Sequence, residues 1–446
     1  MTGGIMKSIK IFIIIIFMSI FLSVIVNAQL PNAATAMMGK SGGEVPMGVG
    51  ATFINGETYY LVSFAPEVAF GQLGIGLDLN LRFNTQGNLR MGDYAKFEDY
   101  LRIIRYVRWA QKGDPFYIRV GQLDYSLLGH GSIIYNYCNS ASYDMRRTGI
   151  ELDMNFEKYG FESMYSDLTG RGLLGLRGYV KPLKFTSLAK IPVINNFEAG
   201  VTYARDLNQY ADYAYTNTYS NIDSSRTGLS IYGLDFGLPI LSYSFLKSTL
   251  YYDFAQIANY GHGSSIGINM NFSGMGILNM RGKYEYRMNG ANYIPAYFNA
   301  LYEHDRFNFV NRLSKSDTLW QVAANRGYYG ELIISLLNTF NIIAGYQASY
   351  DVKDQGILHA ELQLPQIAGI VVRAGFDKTR IGRIFILDDN SILSAEIGYK
   401  PVKYLLVSML YQRTFSNRNP DGSLRTDGSF IKQDRVEPKV SFVYDF

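Results

Sequence analysis

The chain has 446 residues, of which 18% are charged and 15% aromatic. Its 36 Tyr and 27 Phe exclude a disordered polymer, which needs few aromatics and much net charge. A net charge of +4 gives no footprint for a nucleic-acid partner, and a lone cysteine, Cys138, excludes an intrachain disulfide and a cysteine-based zinc site.

Residues 1–28 read as a signal peptide. Lys7 and Lys10 precede an apolar run from Ile11 to Val26, broken only by Ser19 and Ser23, and Val26-Asn27-Ala28 offers small residues at a cleavage point before Gln29. Residues 29–47 follow as a short periplasmic N-terminal segment. From residue 48 to 446 no apolar stretch approaches membrane-helix length. The exported chain is therefore expected to be either soluble or a barrel, the other backbone arrangement that leaves no polar edge facing lipid.

Alternation decides between them. Along 149–158, Ile150, Leu152, Met154 and Phe156 alternate with Glu151, Asp153, Asn155 and Glu157. Ile266, Ile268, Met270 and Phe272 alternate with small or polar residues. After Gly274-Met275-Gly276, one face of 277–288 carries Asn279, Arg281, Lys283, Glu285 and Arg287. A helical period would scatter these charges around a cylinder; a period of two puts them on one face.

In chain order the pattern predicts about twenty strands: 48–54, 58–67, 72–84, 101–112, 115–124, 149–158, 161–168, 172–181, 196–205, 227–237, 245–257, 264–273, 277–288, 327–337, 340–350, 356–364, 369–378, 391–400, 404–415 and 435–446. Eighteen remain if the first pair lies outside the wall. Long connections (85–100, 125–148, 206–226, 289–326, 379–390, 416–434) alternate with tight ones, as in a barrel with long external loops and short periplasmic turns. The connection 182–195 is too long for that scheme, which suggests a misread strand. One all-β architectural unit, an antiparallel up-and-down transmembrane barrel of about 18 to 20 strands (range 16 to 20), is expected.

Phe442, Tyr444 and Phe446 share one face of a final strand. This resembles the C-terminal assembly signal of bacterial outer-membrane β-barrel proteins, and the whole pattern is similar to porin-like members of that class. The resemblance implies an outer-membrane location in a Gram-negative envelope, the barrel-assembly machinery and membrane lipid as partners, and a homo-oligomer as one possible state. With the leader removed, only about twenty residues, Gln29 to Met47, precede the first predicted strand, so a folded N-terminal plug domain is not expected.

A wall of 16 to 18 or more strands leaves a lumen. A turn at Gly113-Asp114 sets Arg108 opposite Arg119 and Tyr106 opposite Gly121, a basic stripe completed by Arg102. A turn at Tyr159-Gly160 sets Glu157 opposite Glu162, with Glu151 and Asp153 on the same face. Arg102, Arg108, Arg119, Glu151, Asp153, Glu157, Glu162, Arg281, Lys283, Glu285 and Arg287 are thus the expected pore lining, against the alternative that they pair with one another or with a loop for structural reasons. Loop 125–148, with Ile133, Ile134 and Tyr135, either folds inward as a constriction or packs on neighbouring loops. His130 and His262, each within Gly-His-Gly, lack further ligands at metal spacing. No nucleophile, base and orienting partner converge, so no enzyme is expected, and neither a metal nor a cofactor is implied.

These features predict a channel for passive diffusion of small hydrophilic solutes through a polar lumen. The alternatives are a structural or partner-binding barrel acting through its external loops, 289–326 above all, and a carrier for apolar molecules.

Overall fold

Alternating apolar and polar side chains need a surface with two faces, and the computed structural model supplies one as a single antiparallel sheet. It describes residues 42–442 apart from 45–46, 55–56, 91–92, 95–99, 141–146, 169–171, 211–227, 275–276, 309–312, 338–339, 352–355, 368, 380, 382–386, 389–390, 403 and 417–430. The predicted leader and the segment 29–41 lie outside the described residues, as do Tyr444 and Phe446.

Twenty-three hydrogen-bonded segments form the sheet. Three strands near its start are each interrupted once. Gly42–Glu44 and Met47–Ile54 share one register against Glu67–Phe70 and Glu57–Phe64, which share a second against Leu73–Leu77 and Leu79–Asn84. Twenty strands thus run among the described residues, an even number, and the first pair predicted from the sequence belongs to the wall. Each strand pairs with its sequence neighbours, the simplest up-and-down order.

The turn lengths follow the predicted alternation. Tight hairpins join Ser391–Val402 to Leu405–Ser416, Ile357–Ile367 to Ile370–Thr379 and Leu246–Ile257 to its predecessor Leu229–Ser242. At the opposite rim lie the long connections after Gly121, Asp206, Asn289 and Ser416. The connection 181–197 hides no strand; it is built from three short 3-10 turns, Pro182–Phe185, Ser187–Lys190 and Ile194–Asn196.

Burial runs opposite to that of a soluble protein. On Leu278–Asn289, Lys283, Glu285 and Arg287 are buried while Tyr284 between them is 51% exposed. On Leu229–Ser242, Tyr232, Leu234 and Phe236 are exposed and Ile231 and Asp235 are buried. Val201, Leu250, Ile266, Met270, Ile397, Val407 and Met409 continue the exposed apolar outer face. Charges inward and apolar side chains outward is the distribution of a barrel whose outer solvent is hydrocarbon.

The two ends of the sheet meet along Met47–Ile54 and Ile431–Phe442, with Met47 opposite Phe442 and Ile54 opposite Arg435. This ladder skips Ala51 and Thr52, beside Pro438, which has no N–H to give. A side-chain bond bridges the gap: the Thr52 hydroxyl donates to Glu437 at 2.7 Å, and Glu437 also faces Arg435 at 2.6 Å and buried Arg82 at 3.7 Å. The seam therefore rests on a charge-assisted contact where backbone pairing lapses. Replacing Thr52 by Val is expected to cost about 2 kcal/mol, and Pro438→Ala to return about 1 kcal/mol through the restored amide donor. Thermal unfolding of the detergent-folded barrel, followed by gel mobility, reads both.

Candidate functional site

The inward faces of adjacent strands carry charge in near-continuous sequence. Arg177, on Leu173–Val180, is the most connected: its guanidinium meets Asp235 at 2.9 and 2.5 Å, Glu198 at 2.7 Å and Glu162 at 3.1 Å. Further round, Lys283 and Arg287 flank Glu285 at 2.9 and 2.5 Å. On later strands His359 meets Asp377 at 2.6 Å and Arg373 meets Glu396 at 2.8 Å. Buried charge held in such pairs is tolerated because each ion's lost hydration is replaced by an opposite ion and hydrogen bonds.

The predicted lining residues fall into three groups. Arg119, Glu151, Asp153, Lys283, Glu285 and Arg287 are buried on the inner face, and Glu162, part-buried, joins them through Arg177. Arg108 lies directly opposite Arg119, in the predicted register, although the turn is broader, between Trp109 and Phe116. Their repulsion is relieved because Arg119 turns to Asp124 at 3.0 Å and sits over the Tyr106 ring, while Arg108 donates to the Ala110 carbonyl at 2.8 Å. The basic and acidic stripes are immediate neighbours, with Arg119 opposite Glu151 and Lys112 bonded to Asp153 at 2.8 Å.

Three expectations need correction. Glu157 does not face Glu162; Asp153 does, because the turn lies at Phe156–Tyr159, closed by the Phe156 N–H to the Tyr159 carbonyl at 2.9 Å. Gly160 is not a turn residue. It is buried in the strand, where a Cβ would run into the Tyr179 ring. Glu157 consequently sits on the rim, 80% exposed and 3.4 Å from Lys184. Arg102 precedes its strand, which begins at Ile104. Arg281, near the tight-turn end, bonds to the Asn271 side chain at 3.1 Å and stands apart from the charged groups above it.

Two connections fold into the lumen. Residues 122–140 contribute Leu123, Leu128, Ile133, Ile134 and Tyr137, and residues 290–322 contribute Tyr293, Tyr297, Phe298, Tyr302 and Leu319, to one apolar cluster with the inward residues Leu173, Leu229, Ile231 and Ile257. The connections are joined by backbone bonds: Tyr135 N–H to the Phe298 carbonyl at 3.1 Å, Phe298 N–H to Ile133 at 3.1 Å and Ala296 N–H to Ser132 at 2.9 Å. Gly175 and Gly233 make room in the wall, since a Cβ there would come within 2.6 Å of Ile134 Cδ1 and 2.7 Å of Ile133 Cδ1.

The first connection also reaches the charged wall at well-separated points. Gly129 N–H donates to Glu162 at 2.8 Å, and Lys283 donates to the His130 carbonyl at 2.5 Å. The Tyr135 hydroxyl donates to Glu331 at 2.6 Å, and that of Tyr125 to Glu361. These partners range from the strand Tyr159–Tyr165 to the strand Ile357–Ile367, so the loop crosses the lumen from one side to the other. Of the two sequence alternatives for this loop, the inward one holds.

The His130 ring stacks on Tyr251 with centroids 4.2 Å apart. Burial, aided by Arg177 and Lys283 and opposed by Asp235, lowers its pKa from 6.5 to about 4. The ring is therefore neutral at pH 7. In the second connection Glu303 lies 3.1 Å from Arg306 and 3.2 Å from Arg147; burial would raise its pKa, but the two guanidinium groups outweigh it and hold the carboxylate below its ordinary range.

Sequence inspection missed Arg177, Asp235 and Glu331 because each is a lone charge in an apolar strand. The available signal is the small or aromatic residue two positions away on the same face: Gly175 and Tyr179, Gly233 and Gly237, Tyr329. His130 and His262 do not come together: His130 is inside and His262 is exposed. Among the described residues no group of three His, Cys, Asp or Glu side chains could hold a metal ion.

Replacing Arg177 by Met leaves three carboxylates facing one another, and is expected to lower barrel stability by about 3–5 kcal/mol, measured by thermal unfolding in detergent. For His130 the folded pKa lies below the unfolded one, so its contribution to loop docking is complete above pH 6.5 and declines as pH falls toward 4. Protease nicking of 122–140 should rise across that window, and H130Q should flatten the profile.

No family model matches the chain, and no curated protein matches it. Among solved structures it is similar to CdiB from Acinetobacter baumannii, at 9% identity and TM-score 0.28 over 91% of this chain and 60% of that one. It is similar to the siderophore receptor PirA from Acinetobacter baumannii, at 8% identity and TM-score 0.36 over 91% and 81%. It is likewise similar to OmpT, an outer membrane protein of Vibrio cholerae, at 8% identity and TM-score 0.26 over 92% and 99%. Likeness at this level bears on neither solute nor mechanism.

Proposed function

We propose that the chain is an outer-membrane channel for passive diffusion of small hydrophilic solutes. One observation carries the proposal: strand after strand turns charged side chains inward, where a barrel that merely filled its interior would gain as much from apolar packing. The inward loops narrow the bore at the long-loop end. What remains of the bore lies beside them, and the paired groups His359–Asp377 and Arg373–Glu396, largely buried where Tyr125 meets the wall at Glu361, shape its field.

Such a lining attracts neither sign of charge strongly but offers hydrogen-bond donors and acceptors to zwitterions and polar neutral molecules. No energy source is needed, since flux follows the concentration gradient. The pairing of Tyr125 with Glu361 places the loop against this same wall. Loop position therefore sets how much of the bore remains.

A second reading is favoured by the apolar cluster around Ile134 and Phe298: the barrel is shut and acts by binding a partner through its long loops. Planar-bilayer recording separates the two. Discrete conductance steps support the channel, and silence of correctly folded protein supports the shut barrel. Replacing 126–137 by a Gly-Ser linker should raise conductance roughly two-fold or more and increase the largest solute admitted in liposome swelling. An unchanged exclusion limit would place the constriction elsewhere.

A further inference from the structure

The connection 181–197 lies at the rim of tight turns, where two or three residues would suffice to join Leu173–Val180 to Glu198–Asp206. It instead exposes four large apolar side chains: Phe185 at 60%, Leu188 at 40%, Ile191 at 41% and Ile194 at 42%. None of its three 3-10 turns buries a residue. Exposed apolar groups in this number mark a surface that has a partner.

The backbone shows what kind of partner. Amides of 184, 186, 189, 191, 194, 196 and 197 all donate to carbonyls within 181–194, and the Thr186 hydroxyl accepts from Leu188 N–H at 3.2 Å. A segment with most of its amides paired internally enters a poorly hydrated layer at lower cost than an open loop. Val193, at φ 72°, occupies a tight three-residue turn in which Ile194 N–H reaches the Pro192 carbonyl at 2.9 Å. A β-branched residue holds that conformation only under constraint from its surroundings.

Position and charge identify the layer. Phe197 stacks on Phe236, ring centroids 6.2 Å apart and planes 9° from parallel, and Phe236 belongs to the apolar outer face of the barrel. The patch is thus continuous with the surface that contacts hydrocarbon. Lys158 lies 5.2 Å from the Phe185 ring centre and Lys190 is exposed next to Ile191, while the other two lysines of the connection, Lys181 and Lys184, are paired with Glu198 and Glu157. Apolar side chains with lysines beside them at a hydrocarbon boundary match the acyl chains and phosphates of one leaflet.

We infer that 181–197 is an interfacial anchor that binds anionic phospholipid in the leaflet at the tight-turn end of the barrel. The inference rests on the transmembrane barrel and not on channel activity, so a silent barrel leaves it intact. The test uses the whole chain with Trp109 and Trp320, its two tryptophans, replaced by Phe and a single reporter introduced as F185W. The protein is reconstituted in phosphatidylglycerol or phosphatidylcholine vesicles containing lipids brominated along the acyl chain.

The expected result is blue-shifted emission, quenched by bromine and more strongly in phosphatidylglycerol, with the preference lost in K158Q/K190Q. Water-like, unquenched emission from folded barrel would overturn the anchor and leave the patch as a protein-docking surface. Equal quenching in both lipids would overturn the assignment to anionic headgroups.

Discussion

Every backbone amide in contact with hydrocarbon needs an internal partner, since no water is present to replace one. The antiparallel sheet meets that demand strand by strand, and the weakest place is the seam beside Pro438, where Thr52 and Glu437 supply a side-chain bond in place of a ladder bond. The demand on the backbone also explains the inverted side-chain distribution. Once the sheet is rolled, one face meets lipid and the other does not, so glutamate, arginine and lysine have only the inside to occupy.

The inside then poses its own problem, because charge enclosed in protein is costly unless compensated. The wall answers with local pairing: Arg177 among three carboxylates, Glu285 between two cations, Arg373 beside Glu396. The inward loops attach to the same groups, Gly129 to Glu162, His130 to Lys283 and Tyr135 to Glu331. Compensation of the wall and placement of the loops are therefore one arrangement.

Much of this was legible in the residues. The strands 149–158 and 277–288 announce both faces, and the Arg108–Arg119 register follows from its hairpin. Reading failed where one residue type serves two purposes. Gly160 looks like a turn and is a close-approach position under Tyr179. On Leu229–Ser242 both faces are apolar near the long-loop end, because Leu229 and Ile231 meet the inward loops while Tyr232 and Leu234 face out, and alternation cannot tell two oily surroundings apart. In the sequence the connection 182–195 stands out only by its length; its geometry, spanning 181–197, shows an apolar surface instead of a lost strand.

The backbone bonds between 132–135 and 296–298 tie together two stretches separated by about 160 positions, one emerging after the fifth strand and the other after the thirteenth. Neither can find its partner until the intervening strands have been laid side by side, so loop docking has high contact order and belongs late in assembly. The closure of the lumen is thus a property of the whole wall and not of either loop alone, since each loop's partner is delivered by strands far from it in the chain.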